Sequence, residues 1–195
     1  MVIYFDTETS GLRPGQIAQL SLVIQDGERV TGKNYFFTVD SVDYGAYLVH
    51  GFSVEKLFFL SKGKRFSYYA DEIEQLFLSA DAVVSHNTAF DFMFMRSEFE
   101  RLNKVFMVNR EFCSMKALTP VCKLKRSSGA YKYPKLSEAC EKFGITDTEI
   151  KITAKTLFGA ECGFHDARFD TAAVYLLCNY ALNTDCALKE LDKYI

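Results

Sequence analysis

Short apolar runs separated by turn residues dominate the first forty positions of the chain. Val2 to Phe5 is one run, and Ile17 to Gln25 and Arg29 to Val39 are two more, separated by Asp26-Gly27. An Asp-Gly pair between two strand-like runs favours a tight hairpin, because the turn needs a positive φ. The pattern therefore predicts three antiparallel strands at the start of the fold.

Further along, apolar positions at helical spacing alternate with short apolar runs. They predict a helix over Tyr69 to Ala80, a strand over Ala82 to Ser85, a helix capped by Asn87 or Thr88 that runs towards Leu102, a strand around Val105 to Cys113, helices over Leu136 to Phe143 and Ala167 to Leu182, and a short helix at the end. Strands first and alternating elements afterwards indicate an α/β fold, a mixed sheet flanked by helices.

Length and composition are those of an ordinary globular domain. The 195 residues predict one domain over 1–195, and 49% apolar with 25% charged residues suffices for a core. The formal net charge of -2 gives no sign of a nucleic-acid partner, so any polyanion site must be local.

The six cysteines form no CxxC pair, and most lie in apolar stretches, so we expect reduced thiols in a cytosolic protein. The first residues do not look like a secretion signal, and no run approaches ~18 consecutive apolar residues. We therefore expect a cytoplasmic protein without a membrane span.

The first candidate for chemistry is Phe5-Asp6-Thr7-Glu8-Thr9-Ser10-Gly11-Leu12. Asp6 and Glu8 are two positions apart in a strand, so their side chains point to the same face. Two carboxylates on one face repel each other, and hard divalent cations such as Mg²⁺ relieve that repulsion through oxygen ligands. The simpler alternative is an exposed acidic strand end.

Two further motifs each place an acid in the first turn of a predicted helix. His86-Asn87-Thr88-Ala89-Phe90-Asp91 follows the strand over Ala82 to Ser85, and His165-Asp166-Ala167-Arg168-Phe169-Asp170 opens the long helix. Either acid is also explained by the helix dipole, and Asp166 by an N-cap. Taken singly, neither motif predicts catalysis.

Together the three motifs resemble those of the DEDDh family of 3′→5′ exonucleases. That family carries a DxE strand followed by T/S-G-L, then HNxxFD, then HxAxxD, and this chain has all three in order over residues 5 to 170. The segments Tyr133-Pro134-Lys135-Leu136 and Phe143-Gly144-Ile145 also resemble the part of the family that precedes the third motif. The resemblance implies a ribonuclease H-like fold.

The resemblance also implies an active site of Asp6, Glu8, Asp91, His165 and Asp170 with two divalent cations, Mg²⁺ or Mn²⁺. Asp6 would bridge the cations, Glu8 and Asp170 would hold the one that carries the attacking water, and Asp91 would support the second. His165 would accept the proton of that water, because histidine titrates near neutral pH. Tyrosine at this position would indicate the other branch of the superfamily.

Substrate contacts are expected from two parts of the chain. Val49-His50-Gly51-Phe52 resembles the family turn that touches the terminal nucleotide, and Leu12 and Phe52 are either base-stacking or packing residues. The contacts expected around the 3′ end are Thr9, Gly11, Leu12, His50, Phe52, His86 and Asn87. Family members usually have an acid near Gln19 and Ile where Phe52 stands, and these departures concern substrate preference.

The stretch from Lys116 to Lys135 contains six cations and no acid. We expect Lys123, Lys125 and Arg126 to follow the phosphate backbone. The alternative is that the cluster is only a solvated surface.

The resulting hypothesis is an exonuclease that shortens DNA from its 3′ end, prefers single strands and releases nucleoside monophosphates, alone or with a polymerase. An RNA 3′ exonuclease similar to ribonuclease T or oligoribonuclease would use the same five residues, although Thr7 and Thr9 favour the DNA branch. A non-catalytic nucleic-acid-binding module is a third possibility, but it should have lost at least one of the carboxylates. The sequence carries no prediction of oligomeric state.

Overall fold

The computed structural model describes residues 1–12, 15–182 and 186–195. Its centre is a five-stranded sheet in the order β3-β2-β1-β4-β5. The strands are β1 (Val2–Thr9), β2 (Ile17–Asp26), β3 (Arg29–Phe36), β4 (Ala82–Ser85) and β5 (Glu111–Cys113). Strands β1, β2 and β3 are antiparallel, whereas β4 runs parallel to β1 and β5 parallel to β4. The prediction of three antiparallel strands followed by parallel strands is confirmed.

Helices cover both faces of this sheet. They are α1 (Tyr44–His50), α2 (Val54–Ser61), α3 (Phe66–Ser79), α4 (Thr88–Glu100), α5 (Ser114–Cys122), α6 (Leu136–Lys142), α7 (Asp147–Phe158) and α8 (Ala167–Ala181), followed by a 3₁₀ helix (Ala187–Lys193). Val2 and Tyr4 pack in one apolar core with α8, whereas Ile3 and Phe5 pack in another with α3 and α4. Strand β1 therefore supplies both cores, because successive side chains point to opposite faces.

Two predicted strands and a predicted hairpin turn have different limits in the structure. Strand β1 continues to Thr9, so Asp6 and Glu8 lie within it rather than after it. The strand predicted around Val105 to Cys113 is only three residues long, because Phe106 packs on Phe77, Phe92 and Phe99. Asp26 pairs with Arg29, so Gly27, with φ +57°, and Glu28 form the hairpin turn.

The start of α4 differs from the expected cap. Asn87 precedes the helix in a left-handed conformation, with φ 77°, and its side chain caps nothing. The Thr88 hydroxyl instead donates to the carbonyl of Phe112 at 3.1 Å, which ties the helix to β5. Asn87 does mark the start of the helix, but the side-chain cap predicted there was wrong.

Four helices, α1, α2, α5 and α7, were absent from the prediction. Helix α1 exposes several apolar side chains, and α5 contains Pro120, so neither shows a regular amphipathic pattern. Helix α7 carried a usable signal, because the Thr146 side chain accepts a hydrogen bond from the Glu149 amide at 3.2 Å. A threonine three positions before a glutamate is typical of a helix start.

The turn between α1 and α2 is fixed to the sheet by a small third core. Phe52 and Leu57 pack there against Ala18 and Val39. This packing places the C-terminal end of α1 beside the end of β1. Among the described residues all six cysteines are free, and no helix combines the length and apolar character needed to cross a membrane.

Candidate active site

Four carboxylates from three elements meet near the C-terminal end of β1. Asp6 and Glu8 share the face of β1 that packs on α8, and Asp170 comes from the first turn of α8. Asp91 comes from the first turn of α4, where the Thr7 hydroxyl donates to its Oδ1 at 2.7 Å. Glu8, Asp91 and Asp170 are buried, and Asp6 is half-buried.

Burial and mutual repulsion disfavour the charged forms of these acids. Burial, together with the charges of Asp170, Asp91 and Glu8, raises the pKa of Asp6 well above its usual range. Burial and the neighbouring acids raise the pKa of Glu8 to about 8. Burial raises the pKa of Asp91 and of Asp170 to about 7, although hydrogen bonds to each of them act in the opposite direction. The group is therefore poised to exchange protons for a cation near neutral pH.

The donor set suits hard divalent cations. Within residues 1–12, 15–182 and 186–195, no Lys or Arg forms an ion pair with Asp6, Glu8, Asp91 or Asp170. Glu8, His165 and Asp170 each offer a ligand atom within 4.8 Å of the others. Carboxylate oxygens are the ligands that Mg²⁺ and Mn²⁺ prefer, so these residues fit the metals expected of the family.

His165 lies at the open side of the cluster. Its side chain is exposed, and its backbone has a φ of 61°. Its amide donates to Asp170 Oδ2 at 3.2 Å, which joins the third motif to the acid of α8. The imidazole beside the acids is therefore open to solvent.

A cleft of about 510 Å³ opens next to the acids. It is lined by Thr7, Glu8, Thr9, Gly11, Leu12, Asp43, Gly45, Ala46, Val49, His50 and Phe90. A Cβ atom on Gly11 would overlap the carboxylate of Asp43, so a larger residue there would displace that exposed side chain from the cleft wall. Leu12 is 83% exposed at the cleft wall, where an apolar side chain can contact a base. The expected contacts Thr9, Gly11, Leu12 and His50 thus share one cleft beside the acids.

His50 is held in the cleft wall by two backbone groups. The Phe52 amide donates to its Nδ1 at 3.0 Å, so its Nε2 carries the proton and donates to the Thr9 carbonyl at 3.1 Å. Burial lowers the pKa of His50, which favours this neutral form. The side chain therefore joins α1 to the end of β1, and both of its nitrogens are already used within the protein.

Phe52 is a packing residue, the second of the two alternatives left open by the sequence, so it is not one of the contacts of the 3′ end. Its side chain is only 4% exposed, lies 5.0 Å from the His50 ring and packs edge-on against Phe36. A base cannot reach a ring that is enclosed in this way. Phe52 therefore packs against the His50 ring and supports its position in the cleft wall.

The side chain of His86 is engaged within the protein, whereas that of Asn87 is exposed. The Pro134 carbonyl lies 3.0 Å from His86 Nε2, and the Ser114 hydroxyl lies 2.9 Å from Nδ1. Burial lowers the pKa of His86, so both nitrogens of a neutral ring are engaged within the protein. His86 therefore connects the second motif to the segment before α6, whereas Asn87 is exposed.

The basic stretch folds into α5 and a small hairpin. Lys125 pairs with Tyr131, and the Arg126 amide donates to the Ala130 carbonyl at 2.8 Å. Lys123, Lys125 and Arg126 are all exposed, and none of the ion pairs in the described ranges involves them. Lys132, in the same stretch, pairs with Glu138.

The sequence alone did not nominate Asp43 or Ala46 as parts of the cleft, whereas Val49 stood in the turn expected to touch the terminal nucleotide. Asp43 and Ala46 belong to the α1 region, which was not predicted as a helix, so their position at the cleft did not follow from the pattern. Asp43 precedes the first residue of α1, and its amide donates to the Ser10 carbonyl at 2.8 Å. The usable signal was Asp43 itself, because aspartate is a residue type that often precedes the first residue of a helix.

Comparison with known proteins places this geometry in a family. A protein-family model described as an exonuclease matches residues 3–150. The chain belongs to the DnaQ-like 3′→5′ exonuclease family. The family resemblance expected from the three motifs is thereby confirmed.

Relatives in this family include subunits of a DNA polymerase. The chain is 30% identical over 168 residues to DNA polymerase III subunit epsilon of Escherichia coli K12, covering 81% of this chain and 64% of that protein. It is 32% identical over 108 residues to the epsilon subunit of Rickettsia felis, covering 52% of this chain and 45% of the relative. The match thus spans less than two thirds of either relative.

The fold is also that of a solved exonuclease. The structure of Exonuclease X in complex with 5′ overhanging duplex DNA superposes with a TM-score of 0.63 at 14% identity. The superposition covers 100% of this chain and 99% of the other. The predicted ribonuclease H-like arrangement is thereby confirmed at the level of the fold.

Proposed function

We propose that this protein hydrolyses phosphodiester bonds at the 3′ end of DNA, with Asp6, Glu8, Asp91 and Asp170 holding two divalent cations. One observation carries the proposal: four acids that form no ion pair with a basic residue in the described parts of the chain converge beside a cleft, and an exposed histidine lies at their edge. Uncompensated buried charge destabilises a fold unless a ligand neutralises it. The cations would neutralise these acids and promote ionisation of a water molecule.

The chain's own residues would divide the remaining work. Asp6, Glu8, Asp91 and Asp170 would hold the cations, and the charges of the other three acids bear on Asp6. His165 would take the proton of the attacking water, because its imidazole is the exposed base beside Glu8 and Asp170. The cleft with Leu12, Thr9 and His50 would hold the terminal nucleotide, and the reaction would release nucleoside monophosphates.

The preference for DNA and for single strands rests on separate observations. The relatives at 30–32% identity are subunits of a DNA polymerase, which favours DNA over RNA. Leu12 offers an apolar contact that tolerates any base, as an enzyme that acts on unpaired ends requires. Lys123, Lys125 and Arg126 would bind phosphates further along the strand.

The wider setting follows from the same comparisons. We propose that residues 1–195 form one exonuclease domain and that a polymerase is its partner class, as in the relatives named as polymerase subunits. Six free thiols suit a reducing compartment such as the cytoplasm. Co-purification with a replicative polymerase tests the partner.

The decisive experiment compares three 5′-labelled substrates of one sequence: single-stranded DNA, blunt duplex DNA and single-stranded RNA. In Mg²⁺ we expect a ladder that shortens from the 3′ end, fastest for single-stranded DNA, and no cleavage in EDTA. Faster digestion of RNA would select the alternative of an RNA exonuclease. Binding without cleavage in Mg²⁺, or cleavage that survives EDTA, would contradict the proposed activity.

A further inference from the structure

Gln19 is a fully buried amide on β2, directly opposite Glu8 in the sheet register. Its Nε2 donates to Asp166 Oδ1 at 2.9 Å and to Asn34 Oδ1 at 2.8 Å. Its Oε1 accepts the Ala167 amide at 3.1 Å. One side chain therefore fastens the start of α8 to two strands, with both amide protons in use.

Asp166 makes this attachment rigid. It caps α8 by accepting the Arg168 amide at 3.1 Å, and it also accepts Nε and Nη2 of Arg168 at 2.8 and 2.6 Å. The Arg168 guanidinium lies 5.6 Å from the centre of the Phe36 ring on β3. Hydrogen bonds with an ionised partner and two-point geometry fix orientation better than a single neutral bond.

The residue held by this attachment is His165. It lies in a turn that the Asp166 amide closes by donating to the Gly163 carbonyl at 3.1 Å. Its φ of 61° is a conformation that a residue with a Cβ rarely adopts, and it persists only where the surroundings impose it. Asp166, which follows His165, is held by hydrogen bonds from Gln19 and Arg168. These bonds explain how the unusual backbone conformation of His165 is maintained.

We propose that Gln19 is a positioning residue that acts through Asp166 to hold His165 at the acid cluster. The proposal rests on the proposed function, in which His165 is the general base. Gln19 contacts neither the cleft nor a cation in this scheme, so its effect should appear only through His165.

The test is a double-mutant cycle with Gln19→Met, which keeps the length of the side chain but removes its hydrogen bonds. Gln19→Met should lower kcat by about 10- to 100-fold, as loss of a partner that orients an active-site group does, with KM and Mn²⁺ affinity nearly unchanged. In a His165→Ala background the same substitution should have almost no further effect, because the residue it positions is gone. An equal loss in both backgrounds, or a change in KM alone, would overturn the proposal.

Gln25→Met is the matched control. Gln25 is also a buried glutamine of β2 and accepts the Tyr4 hydroxyl at 3.1 Å, but it lies six residues along the strand, roughly 20 Å away. It should leave kcat unchanged. If Gln25→Met lowers kcat as much as Gln19→Met, the effect is general loosening of the sheet and the proposal fails.

A second pair of variants keeps the proposal testable if Gln19→Met does not fold. Gln19→Glu is isosteric and still accepts the Ala167 amide, but it turns an oxygen towards Asp166 and should lower kcat. In a His165→Ala background Gln19→Glu should have almost no further effect, because the residue that it positions is gone. An equal loss of kcat in both backgrounds would refute the link. Full activity in His165→Ala would instead refute the general base itself, whereas full activity in Gln19→Met alone would refute only the positioning role.

Discussion

Asp166 and Asp170 lie one helical turn apart at the start of α8 and have opposite surroundings. Burial acts to raise the pKa of Asp166, but hydrogen bonds from Arg168 and Gln19 outweigh it and hold that pKa below its usual range. Burial raises the pKa of Asp170 to about 7, and only the His165 amide acts strongly against it. Arg168 is the basic partner of Asp166 and compensates its charge within the chain. No ion pair among the described residues compensates the charge of Asp170 in the same way.

Removing the charge of each acid in turn should separate the two roles. Asp170→Asn should lower nuclease activity by on the order of 10³-fold, because several kcal/mol of charge stabilisation by metal is lost. Its unfolding temperature in EDTA should be unchanged or higher, since repulsion with Asp6 and Glu8 is relieved. Asp6→Asn should behave in the same way.

Asp166→Asn is the counterpart in this comparison. It should lower the free energy of unfolding by about 1–3 kcal/mol, because Arg168 keeps a charge without its partner. Thermal unfolding in EDTA and nuclease assays in Mg²⁺ measure both effects on the same preparations. A destabilised Asp170→Asn that retains activity would reverse the assignment of the two acids.

His165 divides the cluster into ligands and a base. His165→Ala should lower kcat by about 10²–10⁴, the usual contribution of general-base catalysis, and should leave Mn²⁺ binding largely intact. Isothermal titration with Mn²⁺, beside single-turnover kinetics, distinguishes the roles. Since an imidazole nitrogen lies among the possible ligand atoms with Glu8 and Asp170, lost Mn²⁺ binding in this variant would make His165 a ligand instead.

The metal-free protein should become less stable as pH rises because of the acid cluster. In the unfolded chain these acids lose their protons near pH 4, whereas in the folded protein Asp91 and Asp170 keep theirs to about 7 and Glu8 to about 8. Their contribution is complete below about pH 4 and is lost as pH rises to about 8. The linkage amounts to a few kcal/mol for each acid.

The difference in unfolding free energy between the wild type and Asp170→Asn isolates this contribution from that of acids such as Asp166. In EDTA the wild type should lose stability relative to the variant between pH 4 and 8, and saturating Mg²⁺ at pH 8 should restore it. A relative gain in stability over that range would mean that Asp170 has a hidden cationic partner.

The sequence predicted the acidic residues of the site better than it predicted the residues that line the cleft. The strand or helix position of Asp6, Glu8, Asp91 and Asp170 followed from local pattern, whereas their convergence into one site was implied by the family resemblance. The role of Phe52 was not foreseeable, because burial depends on Val39 and Leu57, whose contacts arise only once α1 and α2 have folded. The cleft wall was missed for the same reason.

Long-range polar contacts were beyond the reach of local pattern as well. Gln19 reads as an ordinary strand residue, and only the register of β2 beside α8 brings it to Asp166, 147 residues later. Similarly, the imidazole of His86 is engaged by Pro134 and Ser114, which no spacing rule connects. Motifs identify reacting groups, whereas the residues that orient those groups depend on tertiary packing.

Basic residues near the hairpin repeat the contrast between paired and unpaired charge, with the smallest expected effect. Lys132 pairs with Glu138, whereas Lys123, Lys125 and Arg126 are exposed, and none of them enters an ion pair within the described chain. Replacing these three with Ala should reduce the slope of log affinity against log salt for single-stranded DNA by about 2, or about 0.7 for each lost phosphate contact. Lys132→Ala is the control and should change the slope little, because its charge is already compensated by Glu138.

Fluorescence anisotropy with a labelled oligonucleotide, across a salt series in Ca²⁺, measures the slope without cleavage if Ca²⁺ does not support hydrolysis. An unchanged slope in the triple variant would mean that Lys123, Lys125 and Arg126 are only solvated surface. The functional difference between paired and unpaired acids would then not extend to the basic side chains.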